Sequence, residues 1–259
     1  MAAPAGPNYR ELVPERLVET AEQLQRRVAE RFPRSGLAQV CGEVAATMRN
    51  VEQVQAELVR EHWGLRSLVA LFIGLLAAAV VGLGWSFIST LRAGFEDWSE
   101  LLQGLEAGVN DLVFIGVAIW FLWQLEPRRK RRKALKSLHG LRSLAHIIDM
   151  HQLTKDPEMV TRLRQEATAS SPQRSMTPFE LVRYLDYCSE ALALLSKAAA
   201  LHVQSFDDRE TLAAVGDIED LTDGLSRKIW QKITILDRVL QRDGALAPHG
   251  RGDAQQQTS

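Results

Sequence analysis

The chain has 259 residues, with 31 Lys and Arg against 32 Asp and Glu, so its formal net charge is −1. This balance argues against a nucleic-acid-binding protein, because such proteins carry an excess of positive charge. Its two cysteines, Cys41 and Cys188, lie far apart without a CxxC spacing, so they do not make a disulfide framework or, by themselves, a metal site, and they indicate a reducing compartment. The first residues lack the pattern of a signal peptide.

Residues 1–66 predict a pair of cytoplasmic helices that either packs on the rest of the chain or pairs with a second copy. Pro33 and Gly36 separate the two helices. Apolar residues recur at helical spacing in both: Leu17, Ala21, Leu24 and Val28 in the first, and Leu37, Val40, Val44, Met48, Val51, Val54 and Leu58 in the second.

Residues 67–91 predict a first transmembrane helix, because no charged residue lies between Arg66 and Arg92. At about 1.5 Å per residue this segment is long enough to cross the roughly 30 Å hydrocarbon core of a bilayer. Gly74, Ala78 and Gly82 recur every four residues in it. Small residues at this spacing let two membrane helices approach closely, which favours packing against the second span or a neighbouring protomer.

Residues 107–126 predict a second transmembrane helix. The uncharged part from Leu112 to Leu125 is short for a span, and extending it back to Ala107 supplies the missing length. Trp120 and Trp123 lie near its end, where aromatic side chains meet the headgroup layer.

A polybasic segment, residues 127–136, follows the second span. It contains six consecutive cations, which we expect to contact membrane headgroups: Arg128, Arg129, Lys130, Arg131, Arg132 and Lys133. Positive charge beside a span is retained in the cytoplasm, whereas the loop at 92–106 is acidic and suits the far side. We therefore expect both termini in the cytoplasm, with the chain in a bacterial inner membrane. The cations either bind anionic headgroups or serve only to set the topology.

Residues 134–243 predict a cytoplasmic helical bundle, followed by a disordered tail at 244–259. Thr177, Pro178 and Glu180 form a capping-box sequence, and Asp207 and Asp208 are expected to cap the last helix. Between them, apolar residues alternate four and three apart in a seam for packing against other helices: Leu181, Leu185, Cys188, Leu192, Leu195, Ala199 and His202.

His139, Arg142, His146 and Asp149 are predicted to share one face of a helix in this bundle. Imidazole and carboxylate groups are transition-metal ligands, so His146, Asp149 and His139 are candidate metal ligands. However, His139 and His146 are two turns apart, roughly 10 Å along the axis, so one ion would need ligands from another helix. The alternative is a solvated or hydrogen-bonded stripe.

Asn110 and Asp111 fall inside the predicted second span. An ionisable residue within a span is costly and is a candidate functional site. A ring of Asp111 side chains from several copies could select cations in a channel. Alternatively, the two residues begin the helix in the headgroup layer or in water.

The sequence contains no motif typical of nucleotide binding, hydrolysis or metalloprotease activity. The predicted fold is all-α: a two-helix transmembrane hairpin with a cytoplasmic helical bundle or coiled-coil-like domain. The leading hypothesis is a non-catalytic scaffold or adaptor, without cofactor, whose cytoplasmic helices mediate self-assembly or partner binding. An oligomeric channel or transport subunit and a metal-responsive regulator are the alternatives.

Overall fold

The computed structural model describes residues 11–59, 63–93, 98–155 and 176–245. These residues form helices and connecting turns without a strand, so the chain is all-α as predicted. The helices are α1 (Pro14–Arg31), α2 (Gly36–Val59), α3 (Trp63–Ala93), α4 (Trp98–Leu153), α5 (Pro178–Ser205) and α6 (Arg209–Ala245). The chain divides into two compact units: Met1–Ala56 with Leu135–Ser259, and Glu57–Ala134.

Local side-chain hydrogen bonds fix where several helices of the first unit begin. At α5 the Thr177 hydroxyl accepts the backbone N–H of Glu180, while the Glu180 carboxylate accepts the backbone N–H of Thr177 at 2.8 Å. At α6 the Asp208 carboxylate accepts the backbone N–H of Thr211 at 3.0 Å. These contacts satisfy N–H groups that have no partner within the helix. The predicted capping box and the Asp208 cap are confirmed.

The core of the first unit draws on α1, α2, the end of α4, α5 and α6. Nearly every apolar position predicted in α1 and α2 is buried, and Val54, which is half-buried, is the exception. The ring of Phe32, after α1, lies edge-on to Tyr184 of α5, with centroids 5.6 Å apart. Of the two arrangements expected for the N-terminal helix pair, packing on the bundle is therefore the one observed.

The predicted seam of α5 lies inside this core. All seven of its residues are buried: Leu181, Leu185, Cys188, Leu192, Leu195, Ala199 and His202. Since α5 packs extensively against α6 and also against α1, the seam is covered by helices of the same chain. It offers no free surface for a second copy or another protein.

The boundaries around α4 differ from those expected. Residues 98–106, predicted as part of an external loop, are helical, and α4 continues through Pro127 and the polybasic segment to Leu153. Acidic charge indicates contact with solvent but does not prevent a helix, and Leu101, Leu102 and Leu105 are strong helix formers. The predicted disordered tail lies, from residue 246 onward, outside the described residues.

Candidate membrane-contacting site

The helix α4 carries a large apolar surface in the second unit. Among the described residues it is the one helix long and apolar enough to cross a membrane, from Leu102 onward. No residue of its most apolar eighteen-residue window is buried. Phe114 is 67% exposed and Trp123 is 74% exposed. A contiguous apolar surface of this kind marks contact with a membrane or another protein, since water-soluble monomers seldom display one.

The helix α3 covers the whole of the predicted first span, 67–91. Its described apolar stretch, Ser67–Gly82, is nevertheless shorter than the length required for crossing. The large apolar side chains exposed on α3 include Leu71, Leu75, Val81 and Trp85. One candidate span is therefore found instead of two. It contains the predicted second span, 107–126, whose sequence is less apolar than that of the predicted first span. The continuous α4 helix supplies the length that the uncharged residues 112–125 lack.

The small residues Gly74, Ala78 and Gly82 are exposed on α3. A Cβ atom added to Gly74 or Gly82 would have no neighbouring atom within 4 Å. The described residues of this chain therefore do not pack against these two glycines, and the close approach that they permit is not used among those residues.

Asn110 and Asp111 are exposed and lie well inside α4, which begins at Trp98. They do not begin the helix, so the interpretation of these residues as a cap is wrong. The reason is that the leucine-rich sequence before them extends the helix upstream by three turns. A carboxylate thus lies on an apolar helix without capping its first turn.

The six cations of the polybasic segment have different surroundings. Lys130 forms an ion pair with Glu126 at 3.2 Å, and Lys133 forms one with Glu57. The Arg128 guanidinium lies over the ring of Phe121, 5.9 Å from its centroid. Arg131 also has an interaction partner. The sequence could not reveal the pairing of Lys133, because Glu57 lies 76 positions away.

Arg129 and Arg132 are the two remaining members of the run. Both are exposed, and neither has an ion pair with a residue that the structure describes. They are separated by three positions on α4 and hence lie on the same side of the helix. The polybasic segment therefore divides into cations with protein partners and one adjacent pair of arginines facing solvent.

The predicted metal ligands lie on α4 in the first unit. His139 and His146 are exposed, whereas Asp149 accepts a hydrogen bond from the Gln152 amide at 2.5 Å. Within the described ranges, no three His, Cys, Asp or Glu side chains are grouped so as to hold a metal ion. Arg142, from the same stripe, lies 3.9 Å from Asp217 of α6. The metal site stays a prediction without a third ligand, and the contacts of Asp149 and Arg142 fit the alternative of a hydrogen-bonded stripe.

Burial shifts the pKa values of several titratable groups in the core of the first unit toward their neutral forms. Burial, with a smaller effect of Glu190, raises the pKa of the Cys41 thiol to about 12. Burial likewise raises the pKa of Cys188 and lowers that of His202. A thiol reacts as its thiolate, so neither cysteine is placed to act as a nucleophile.

His202 is a polar residue that the sequence indicates only as a member of the apolar seam. Its Nδ1 lies 3.0 Å from the backbone carbonyl oxygen of Ala198, one turn earlier in α5. Its buried Nε2 has no hydrogen-bond partner among the residues that the structure describes. Burial therefore favours the uncharged imidazole.

A second feature that the sequence does not predict joins α1 to α5. The Arg27 guanidinium forms an ion pair with Glu190 and lies 5.6 Å from the ring centroid of Tyr187. The Arg183 guanidinium lies 5.4 Å from the same centroid. These contacts hold charged side chains on the buried aromatic cluster.

Comparisons with protein family models, with curated proteins and with solved structures find no match to this chain.

Proposed function

We propose that this chain is an integral membrane protein that holds a cytoplasmic helical bundle at a bacterial inner membrane and acts there as a non-catalytic scaffold. The observation that carries the proposal is the exposed apolar surface of α4, which ends near Trp120 and Trp123 and is followed, after Glu126 and Pro127, by six cations. Lipid would cover the apolar side chains, and the cations would remain on the cytoplasmic side.

The finer topology that we propose has two spans, with α3 as the first. Its support is the charge-free sequence from residue 67 to 91 and the exposure of its large apolar side chains, including Trp85. Water would solvate these side chains poorly, whereas the hydrocarbon core would accept them. Two spans place both termini on the cytoplasmic side, together with the polybasic segment.

The proposed scaffold assembles within the membrane. Because the α5 seam is buried in the chain's own core, the bundle does not present it to a second copy. The exposed stripe of Gly74, Ala78 and Gly82 supports association through α3 instead, since small side chains let helix backbones approach closely in lipid. The cytoplasmic helices were expected to mediate self-assembly, and we propose instead that the membrane helices α3 of neighbouring copies do so.

Membrane integration is tested with the full chain by carbonate extraction of membranes from expressing cells. Wild-type protein is expected in the pellet. A variant with both proposed spans disrupted, Leu71→Arg and Leu75→Arg in α3 with Val113→Arg and Val117→Arg in α4, is expected to shift to the supernatant. Each arginine near the middle of a span costs roughly 2.5–3.5 kcal/mol. The matched control, Ile147→Arg, Met150→Arg, Leu212→Arg and Trp230→Arg, adds the same charge to exposed apolar positions of the first unit and should leave the protein in the pellet. Full extraction of the wild-type chain would overturn the proposal.

A second candidate function is an oligomeric cation channel or transport subunit. Asp111 supports it, because this exposed carboxylate lies within the apolar helix and not at its beginning. The test is cation flux into vesicles that contain the full chain. Asp111→Asn should reduce flux several-fold, whereas Asp111→Glu should retain it. Absence of flux in the wild type, or flux unchanged in Asp111→Asn, would remove this candidate.

A further inference from the structure

The polybasic segment has an internal division that charge alone does not predict. Two of its lysines already have carboxylate partners: Lys130 with Glu126 and Lys133 with Glu57. Binding an external anion through either lysine would require breaking its ion pair or sharing its charge. Arg129 and Arg132 carry no such penalty, because neither has an ion pair within the described ranges.

The arginine pair also has the geometry to bind one phosphate group. Residues three apart on a helix have Cβ atoms about 5–6 Å from each other, so two guanidinium groups can reach the same anion. A guanidinium donates two parallel hydrogen bonds to phosphate oxygens, which lysine cannot do. The helix therefore presents up to four aligned donors at one place on its surface.

The position of the pair along α4 indicates where that phosphate would come from. Trp123 is exposed at the end of the apolar surface, and Arg129 follows it by six residues, about 9 Å along a helix. The polar layer of a bilayer extends roughly 5–7 Å beyond each edge of the hydrocarbon core. Arg129 therefore lies just beyond this layer and Arg132 one turn further out, and their long side chains can reach back to the lipid phosphates.

From these observations we propose that Arg129 and Arg132 form a binding site for the phosphate of an anionic phospholipid headgroup. This inference rests on the proposed membrane integration and adds a specific ligand class to it. Lys130 and Lys133 serve instead in intramolecular ion pairs. The alternative is that all six cations act only through their summed charge, in which case each one would contribute equally to lipid binding.

The test is native mass spectrometry of the full chain in a neutral detergent, with phosphatidylglycerol, phosphatidylcholine and inorganic phosphate titrated separately. Arg129→Gln with Arg132→Gln is compared with Lys130→Gln with Lys133→Gln, because both double variants remove two positive charges from the same helix turns. Circular dichroism confirms that each variant remains helical.

We expect phosphatidylglycerol to bind in preference to phosphatidylcholine, and the arginine variant to weaken that binding ~30-fold, the effect of two basic residues near an anionic surface. The lysine variant should change it less than 3-fold. Equal losses in the two variants, no loss in either, or no headgroup preference in the wild type would each overturn the site. So would equally tight binding of inorganic phosphate, since the ligand would then not be a lipid. Carbonate extraction of the arginine variant distinguishes failure of the lipid site from failure of membrane integration. The arginine variant is expected to remain in the membrane pellet even though its lipid binding is weaker.

Discussion

Lys232 of α6 donates hydrogen bonds from Nζ to both the backbone carbonyl and the side-chain oxygen of Gln152, at 2.8 and 2.7 Å. Gln152 is buried near the end of α4, and its amide nitrogen donates to Asp149. One ammonium group thus satisfies two acceptors of a helix 80 positions earlier in the sequence. Both residues belong to the first unit, where this contact joins α4 to α6.

Replacing Lys232 with Met is expected to destabilise the first unit by about 1–3 kcal/mol, because it leaves a buried acceptor of Gln152 unsatisfied. The measurement is chemical unfolding of the full chain in detergent, followed by far-ultraviolet circular dichroism. Lys228→Met, at an exposed position of the same helix, is the matched control and should change stability by less than about 0.5 kcal/mol. Equal stability of the two variants would contradict the importance of the Lys232–Gln152 contact.

The capping box of α5 gives a second prediction. Thr177→Ala removes the hydroxyl that accepts the Glu180 backbone N–H, and it should cost about 1 kcal/mol of stability. Thr177→Ser keeps the acceptor and should lie close to the wild type. The comparison is made by thermal unfolding of the full chain at neutral pH. If the serine and alanine variants had equal melting temperatures, the cap would not contribute to stability.

Hydrogen bonds from Thr177 also lower the pKa of the Glu180 carboxyl. A carboxyl whose pKa is lower in the folded state stabilises that state above its unfolded pKa, and this contribution is lost as the pH falls through the folded value. The difference in melting temperature between wild type and Thr177→Ala should therefore shrink on acidification below about pH 4.5, the ordinary value for this group. A difference that grows at acidic pH would contradict the assignment.

Helical periodicity accounts for most of the first unit. Positions such as Leu24, Leu141, Leu195 and Ile229 are buried as their 3–4 spacing predicts. Periodicity does not say what covers an apolar face, and the α5 seam is covered by α1 and α6 of the same chain. Burial of the seam is therefore predictable from sequence, but its partner is not.

Residue spacing predicts less of the candidate membrane-contacting site. The cations 128–133 are obvious in the sequence. Which of them have ion-pair partners depends in part on a contact between residues distant in the sequence, that of Lys133 with Glu57. Likewise, local charge suggested a helix start at Asn110, whereas leucines upstream extend the helix to Trp98. Long-range pairing and the cooperativity of helix propagation lie outside what residue spacing reports.

The buried thiols give a fourth prediction. Because burial raises the pKa of Cys41 to about 12 and also raises that of Cys188, both should be almost fully protonated at pH 8. Their reaction with a water-soluble disulfide reagent should be at least 100-fold slower in the folded chain than in guanidinium, since the thiolate is the reactive form. A Ser143→Cys variant, at an exposed position of α4, provides the control for a rapidly reacting thiol. Wild-type labelling at the rate of that control would show that the core is open.

His202 gives the last prediction, a dependence of stability on pH. Burial lowers its pKa below the ordinary 6.5, so above that pH both folded and unfolded chains hold the imidazole neutral. As the pH falls below about 6.5, the unfolded chain binds a proton that the folded chain does not, and stability declines by up to about 1.4 kcal/mol per pH unit until the folded pKa is reached.

His202→Leu removes this proton-binding group and keeps an apolar side chain in the seam, whose His202 position is 1% exposed. The loss of stability between pH 7 and pH 5 should therefore be smaller in His202→Leu than in the wild type, whatever the variant's absolute stability. His139→Gln is the control, because His139 is exposed on α4, and it should retain the wild-type pH dependence. Denaturant unfolding at several pH values measures all three chains. Parallel pH profiles for wild type and His202→Leu would mean that this buried imidazole is not the group whose protonation opposes folding.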